Sequence, residues 1–144
     1  GVRFFTVYGE WGRPDMFVSK IIVSNLKKKR FQLYNFGNHY RDFTYIGDVV
    51  EILFRLLKTK KKQPSNQILN ICSNKPLKLL KIIKILESKL GKISITKKKL
   101  QRADVIKTHG NNNKIKKITS YEDFTNFDEG LSKTIDWSKN YYQV

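Results

Sequence analysis

Gly12, Arg13 and Pro14 are the residues whose types most directly prescribe a chemistry. Proline fixes its own φ and pushes the residue before it toward extended backbone. A guanidinium held in that way can meet a carboxylate through two parallel hydrogen bonds, or it can form a surface ion pair of little energetic value. The loop follows Val2 to Val7, a β-branched and aromatic run, so a buried strand would deliver the charged group to its partner. Thr6 taken alone is an ordinary strand threonine. Other reactive types are sparse. His39 and His109 lack Cys, Asp or Glu at metal-ligand spacing, which argues against a metal site. Cys72 is the only cysteine, so an internal disulfide is excluded; it suits a reducing cytoplasm and, after an apolar strand, reads as inert packing.

The elements that must position these residues alternate. After the strand Val2 to Val7 and its loop, Phe17 to Leu26 has apolar residues at helical spacing, and Lys27 to Arg30 favour its C-terminal end. Phe31 to Tyr34 predicts a short strand, Asn35 to Asn38 a turn, and Tyr40 to Tyr45 a second extended stretch. Asp48 and Glu51 have capping-box spacing for a helix through Leu57, with Asp48 as its N-cap. Lys58 to Ser65, rich in lysine and holding Pro64, reads as a flexible joint. Gln67 to Ile71 is a buried strand, Pro76 to Leu90 an amphipathic helix ended by Gly91, and Ile93 to Ile95 a strand. Short and long helices follow at Asn112 to Ile118 and Asp128 to Tyr142. Strands alternating with helices predict an α/β class.

A length of 144 residues and 40% apolar content fit one domain with a real core. No apolar run reaches the length of a membrane span, and the first residues lack the pattern of a signal peptide. The net charge of +17 raises the possibility of a basic nucleic-acid-binding module. Its make-up argues otherwise. The charge comes from 23 lysines and only 6 arginines, in short separate runs such as Lys27 to Lys29, Lys60 to Lys62 and Lys97 to Lys99. Asn and Ile are enriched alongside Lys, the signature of an A+T-rich coding bias, so most of the charge reads as solvated surface with no specific nucleic-acid partner.

Several short motifs carry a resemblance across the whole chain. They are Arg-Phe-Phe-Thr-Val-Tyr-Gly at 3–9, Trp-Gly-Arg-Pro-Asp-Met at 11–16, Arg-Asp-Phe-Thr-Tyr-Ile at 41–46 with Asp48-Val-Val, Leu-Asn-Ile-Cys-Ser at 69–73, Gln-Arg-Ala-Asp-Val at 101–105, and the pairs Asp136-Trp137 and Tyr141-Tyr142. Together they resemble the NAD-dependent nucleotide-sugar epimerases and dehydratases of the extended short-chain dehydrogenase/reductase type, and most of all the UDP-glucuronate 4-epimerases. The resemblance implies the C-terminal part of a Rossmann-type epimerase, with residues 1–144 as a single substrate-binding region: the last strands of the parallel sheet, with Val2 to Val7 and Gln67 to Ile71 among them, plus a small mixed α/β substrate-binding lobe formed by the segments between and after them. It implies a UDP-sugar ligand, NAD as cofactor, a cytoplasmic location, and a homodimer for the intact enzyme.

The same resemblance assigns roles residue by residue. Thr6 and Arg13 would lie at the uronate carboxylate, and Met16 in the same loop would touch substrate. Phe31 and Tyr34 belong to the segment that approaches the uracil, although aromatic strands are commonly just core. Arg41 would neutralise the diphosphate, with a salt bridge to Asp42 or Asp48 as its alternative. Asp104 would accept from the ribose hydroxyls, or be a solvated loop residue, and Arg102 would add a second phosphate contact. Three departures stand out: Glu10 replaces a proline, Gly47 a polar residue, and Arg102-Ala a stiffening Pro-Gly.

Two features that the intact family requires are expected elsewhere. A cofactor pyrophosphate needs glycines at fixed spacing before a helix, and here Gly9 and Gly12 are followed by Asp15. The family's catalytic Tyr-x-x-x-Lys sets a phenol one helical turn from an ammonium. The residues four after Tyr8, Tyr34, Tyr40, Tyr45 and Tyr121 are Gly12, Asn38, Thr44, Val49 and Thr125. The chain therefore reads as lacking catalytic and cofactor-binding residues of its own and as working with a missing N-terminal half or within a longer parent chain.

Overall fold

The computed structural model describes residues 1–59 and 66–143. In chain order the elements are β1 (Val2–Phe4), β2 (Thr6–Tyr8), α1 (Phe17–Leu26), β3 (Phe31–Leu33), a 3-10 turn at Tyr34–Gly37, β4 (Tyr40–Tyr45), α2 (Ile46–Lys58), β5 (Leu69–Ile71), β6 (Pro76–Lys78), α3 (Leu79–Leu90), β7 (Ile95–Lys97), α4 (Asn113–Thr119) and α5 (Phe127–Tyr142). The α/β class expected from the alternating pattern is what forms.

Val2 to Val7 is two strands rather than one. The Val7 amide donates to the Phe5 carbonyl at 3.0 Å, a tight turn that breaks the run. β1 then pairs in parallel with β5, Val2 opposite Leu69 and Phe4 opposite Ile71. β2 pairs in parallel with β4, Thr6 opposite Phe43 and Tyr8 opposite Tyr45. β4 also pairs antiparallel with β6, and β3 pairs in parallel with β7. One short apolar run thus feeds two sheets. β6 takes the first three residues of the helix expected at Pro76 to Leu90, and Pro76, which has no amide to donate, sits at the start of that strand. The strand expected at Ile93 to Ile95 forms two residues later, at Ile95–Lys97.

Two apolar clusters hold these elements. The larger joins Ile21 and Ile22 of α1, Phe43 of β4, Ile82, Ile83 and Leu86 of α3, and Leu131 and Ile135 of α5. The smaller packs Val49 and Ile52 of α2 on Leu69 and Ile71 of β5 and on Ile115 of α4. Each helix buries one stripe, as the spacing of its apolar residues requires.

Asp48 is not the N-cap of α2. The helix starts at Ile46, with extended Tyr45 before it, which puts Asp48 inside the first turn. Its buried carboxylate accepts from the Tyr121 hydroxyl at 2.8 Å, the Thr125 hydroxyl at 2.6 Å and the Thr125 amide at 3.1 Å. A carboxylate in a first turn is also favoured by the helix dipole. Of the joint expected at Lys58 to Ser65, residues 60–65 lie outside the described residues, as does the Lys60 to Lys62 run.

Candidate functional site

A cleft of about 310 Å³ opens between the loop after β2, α1, β3 and the start of β4. Thr6, Met16, Phe31, Tyr34, Arg41 and Asp104 all line it. Six of the residues singled out in the sequence, spread over about a hundred positions, therefore share one wall-to-wall space. Topology brings them there: β2 and β4 lie side by side, so Thr6 stands next to Phe43 and within reach of the Arg41 end of β4. The remaining lining residues include Asp15, Lys20, Gln32, His39 and Leu79.

Arg41 is fastened to backbone and not to a carboxylate. Its Nη1 donates to the Tyr40 carbonyl at 2.9 Å and to the Ile106 carbonyl at 3.3 Å, where Tyr40 and Lys107 form an isolated parallel bridge. The salt bridge to Asp42 or Asp48 does not form. Asp42 is fully buried and accepts instead from the Ser73 hydroxyl at 2.7 Å and the Gly110 amide at 3.0 Å. Gly110 is required there, because any side chain would run into Cys72 and Phe5. Burial lowers the Arg41 pKa from its ordinary value while Asp104 opposes the shift; a guanidinium remains charged through such a change.

Arg13 and Arg102 are not on the cleft wall. Arg13 forms a forked pair with Asp15, Nε to Oδ1 at 3.1 Å and Nη2 to Oδ2 at 2.6 Å. Its side chain is 70% exposed. The Arg13 hydrogen bonds hold the Asp15 carboxyl below its usual range. This is the surface ion pair that the sequence left open as the alternative for Arg13, formed with a carboxylate of its own loop, and Asp15 itself lines the cleft. Arg102 is exposed in the loop after β7. Glu10 turns to the Tyr45 hydroxyl, at 2.7 and 2.9 Å, and does not line the cleft.

His39 and Lys20 escaped the sequence reading, though both had a signal. His39 stands two residues before Arg41, which period-two alternation places on the same face. Lys20 stands four after Met16, one helical turn along.

The turn from Gly9 to Asp15 is not built as a pyrophosphate cradle. Gly9 has φ of 141° and serves the turn out of β2, and the Gly12 amide donates to its carbonyl at 3.2 Å. Asp15 fills the third position with a charge already paired to Arg13. The residues of this turn do not fit the phosphates of a dinucleotide. Among the described residues no group of three His, Cys, Asp or Glu is placed to hold a metal ion, and no helix is long and apolar enough to cross a membrane.

Paired parallel strands with helices packed on them, and a charged cleft walled by β2, α1, β3 and β4, define a mixed α/β chain of the kind found in the C-terminal part of Rossmann-type epimerases. The chain belongs to the NAD-dependent epimerase/dehydratase family, whose model matches residues 1–72. An uncharacterized protein of Methanocaldococcus jannaschii is 41% identical over 140 residues, covering 95% of this chain and 41% of that protein. The UDP-glucuronate 4-epimerase of Thermodesulfobacterium geofontis is 36% identical, covering 96% of this chain and 42% of the relative. Among solved structures, the UDP-glucuronic acid 4-epimerase of Bacillus cereus in complex with UDP-glucuronic acid and NAD superposes with a TM-score of 0.90 at 30% identity, over 98% of this chain and 45% of that one. The chain spans less than half the length of these relatives.

Proposed function

We propose that the chain is the sugar-nucleotide-binding portion of an NAD-dependent epimerase that acts on UDP-glucuronate at C4 through a 4-keto intermediate. The observation that carries this reading is the convergence of Thr6, Met16, Phe31, Tyr34, Arg41 and Asp104 on one cleft. Arg41 brings permanent charge and several donors for a diphosphate, Asp104 an acceptor for ribose hydroxyls, and Phe31 with Tyr34 an aromatic wall for the base. Arg13 would exchange Asp15 for the uronate carboxylate, one fork for another of the same chemistry. The cofactor site and the catalytic base belong to a longer parent chain or an N-terminal half, with which the small lobe works in a reducing cytoplasm, as a homodimer in the intact enzyme.

The test is made in two parts. Incubated with UDP-glucuronate and NAD⁺, this chain alone should form no product. Joined to a cofactor-binding half, it should form UDP-galacturonate; a dehydrated or decarboxylated sugar nucleotide would instead identify the dehydratase or decarboxylase branch. In the joined protein, Arg13→Ala should weaken UDP-glucuronate by roughly 10- to 150-fold, the loss of a charge-assisted hydrogen bond. UDP-glucose, with a neutral C6 hydroxyl, should be little changed. Arg41→Ala should weaken both ligands alike, since both carry the diphosphate. An equal loss of both ligands in Arg13→Ala would remove the uronate assignment.

A further inference from the structure

His39 is the unexplained polar group of the cleft. It is 3% exposed, and its Nε2 has no hydrogen-bond partner among the described residues. An orphaned nitrogen at that depth is costly and calls for an explanation. The Asp104 carboxylate lies close by, with Oδ2 3.9 Å from Nε2. That is too long for a hydrogen bond. Asp104 keeps about a third of its side chain exposed, so it has room to move, while His39 has none.

The backbone on both sides is fixed. The His39 carbonyl accepts from the Leu79 amide at 2.9 Å, and the Tyr40 amide donates to the Ile106 carbonyl at 2.9 Å. Arg41 adds its two bonds across the same junction. The imidazole and the carboxylate therefore stand on neighbouring segments joined by backbone hydrogen bonds, with Nε2 and Oδ2 3.9 Å apart.

We propose that His39 is a positioning residue for Asp104: when a ligand bearing a vicinal diol enters the cleft, Asp104 swings onto His39 Nε2–H, and its remaining lone pairs take the diol hydroxyls. The inference rests on the nucleotide reading of the cleft and names the ribose as the diol. Charge agrees with it. Burial, and after it Arg41, lowers the His39 pKa while Asp104 opposes them, which favours the neutral ring with its single N–H. Facing an acceptor, that proton belongs on Nε2.

The experiment measures binding of UDP and of 2′,3′-dideoxy-UDP to the 144-residue chain and its His39 variants by ligand-detected NMR, with ligand up to the millimolar range. His39→Phe keeps a ring and loses the donor; His39→Gln restores an N–H where Nε2 stood. Wild type should bind UDP. His39→Phe should bind it roughly tenfold more weakly, the loss of one hydrogen bond to a charged group, and His39→Gln should stay close to wild type. All three should bind the dideoxy nucleotide equally. If His39→Phe fails to fold, the His39 Nε2–H resonance in ¹⁵N-labelled wild type decides: UDP should move it downfield and slow its exchange, and dideoxy-UDP should leave it alone. UDP binding that ignores His39, or a His39→Phe loss that persists with dideoxy-UDP, overturns the positioning role alone. No UDP binding by wild type overturns the nucleotide reading and this role together.

Discussion

Cys72 shows what burial does to a single side chain here. The thiol is completely covered, and burial pushes its pKa up to about 11, with the Asp42 charge adding to the shift. The thiolate is the reactive form, so it is present only as pH rises toward that value, and the cover keeps reagents away in any case. A disulfide reagent at pH 8 should therefore modify the native chain slowly and the urea-unfolded chain at the rate of a free cysteine; fast modification of native protein would mean that this part of the core opens readily. Spacing was enough to mark Cys72 as packing. It was not enough for Arg13, whose two-bond geometry could be read from Pro14 while its partner Asp15, two residues on, could not be told from a ligand carboxylate. Nor was it enough for His39, since burial of a lone histidine depends on what the chain around residues 79 and 104–106 does.

At the scale of elements, α2 is organised around a carboxylate. Asp48 ties the 121–125 segment to the helix through three hydrogen bonds. Asp48→Ala leaves the Tyr121 and Thr125 donors without their acceptor, and should cost about 2–4 kcal/mol, read as a lower urea midpoint. Glu51→Ala, on the same helix, removes only an exposed pair with Arg55 and should change stability by less than about 0.5 kcal/mol. Equal effects would mean that the Asp48 network is no stronger than surface charge. Helix existence was legible from apolar spacing for α1, α2, α3 and α5, because each buries one stripe. Boundaries were less so. The capping-box pattern at Asp48 was matched by a residue that has a tertiary task, and the break at Phe5 depends on which distant strand each half of the run can pair with, a choice that no local pattern records.

At the scale of the whole molecule, the surplus of 17 positive charges falls along the sequence in short separate runs. Lys89 pairs with Asp128, Lys116 with Glu122 and Lys133 with Glu129, and Lys27, Lys58, Lys116 and Lys133 lie over aromatic rings. Binding to duplex DNA at ~150 mM salt should therefore be non-specific, with a Kd of roughly 10⁻⁴ to 10⁻⁶ M that weakens steeply as salt rises. Nanomolar affinity for one sequence would call for a different account of the charge. The α/β class and six members of the cleft were legible because motifs and alternation are local properties; the cleft itself depends on which strands lie together. That pairing also sets an order of events in time. Val2 waits for Leu69, Thr6 for Phe43 and Phe31 for Ile95, and among the described residues none of the strand pairs is a hairpin. Closing such long loops slows folding. On a ribosome, where domains form from the N-terminus as they emerge, β1 would leave the exit tunnel long before its partner exists, and the two clusters could close only once most of the chain had been made. The same Phe5 turn that lets one run serve two sheets thus leaves both of its halves waiting on late-arriving partners, an interval in which a chaperone would find them.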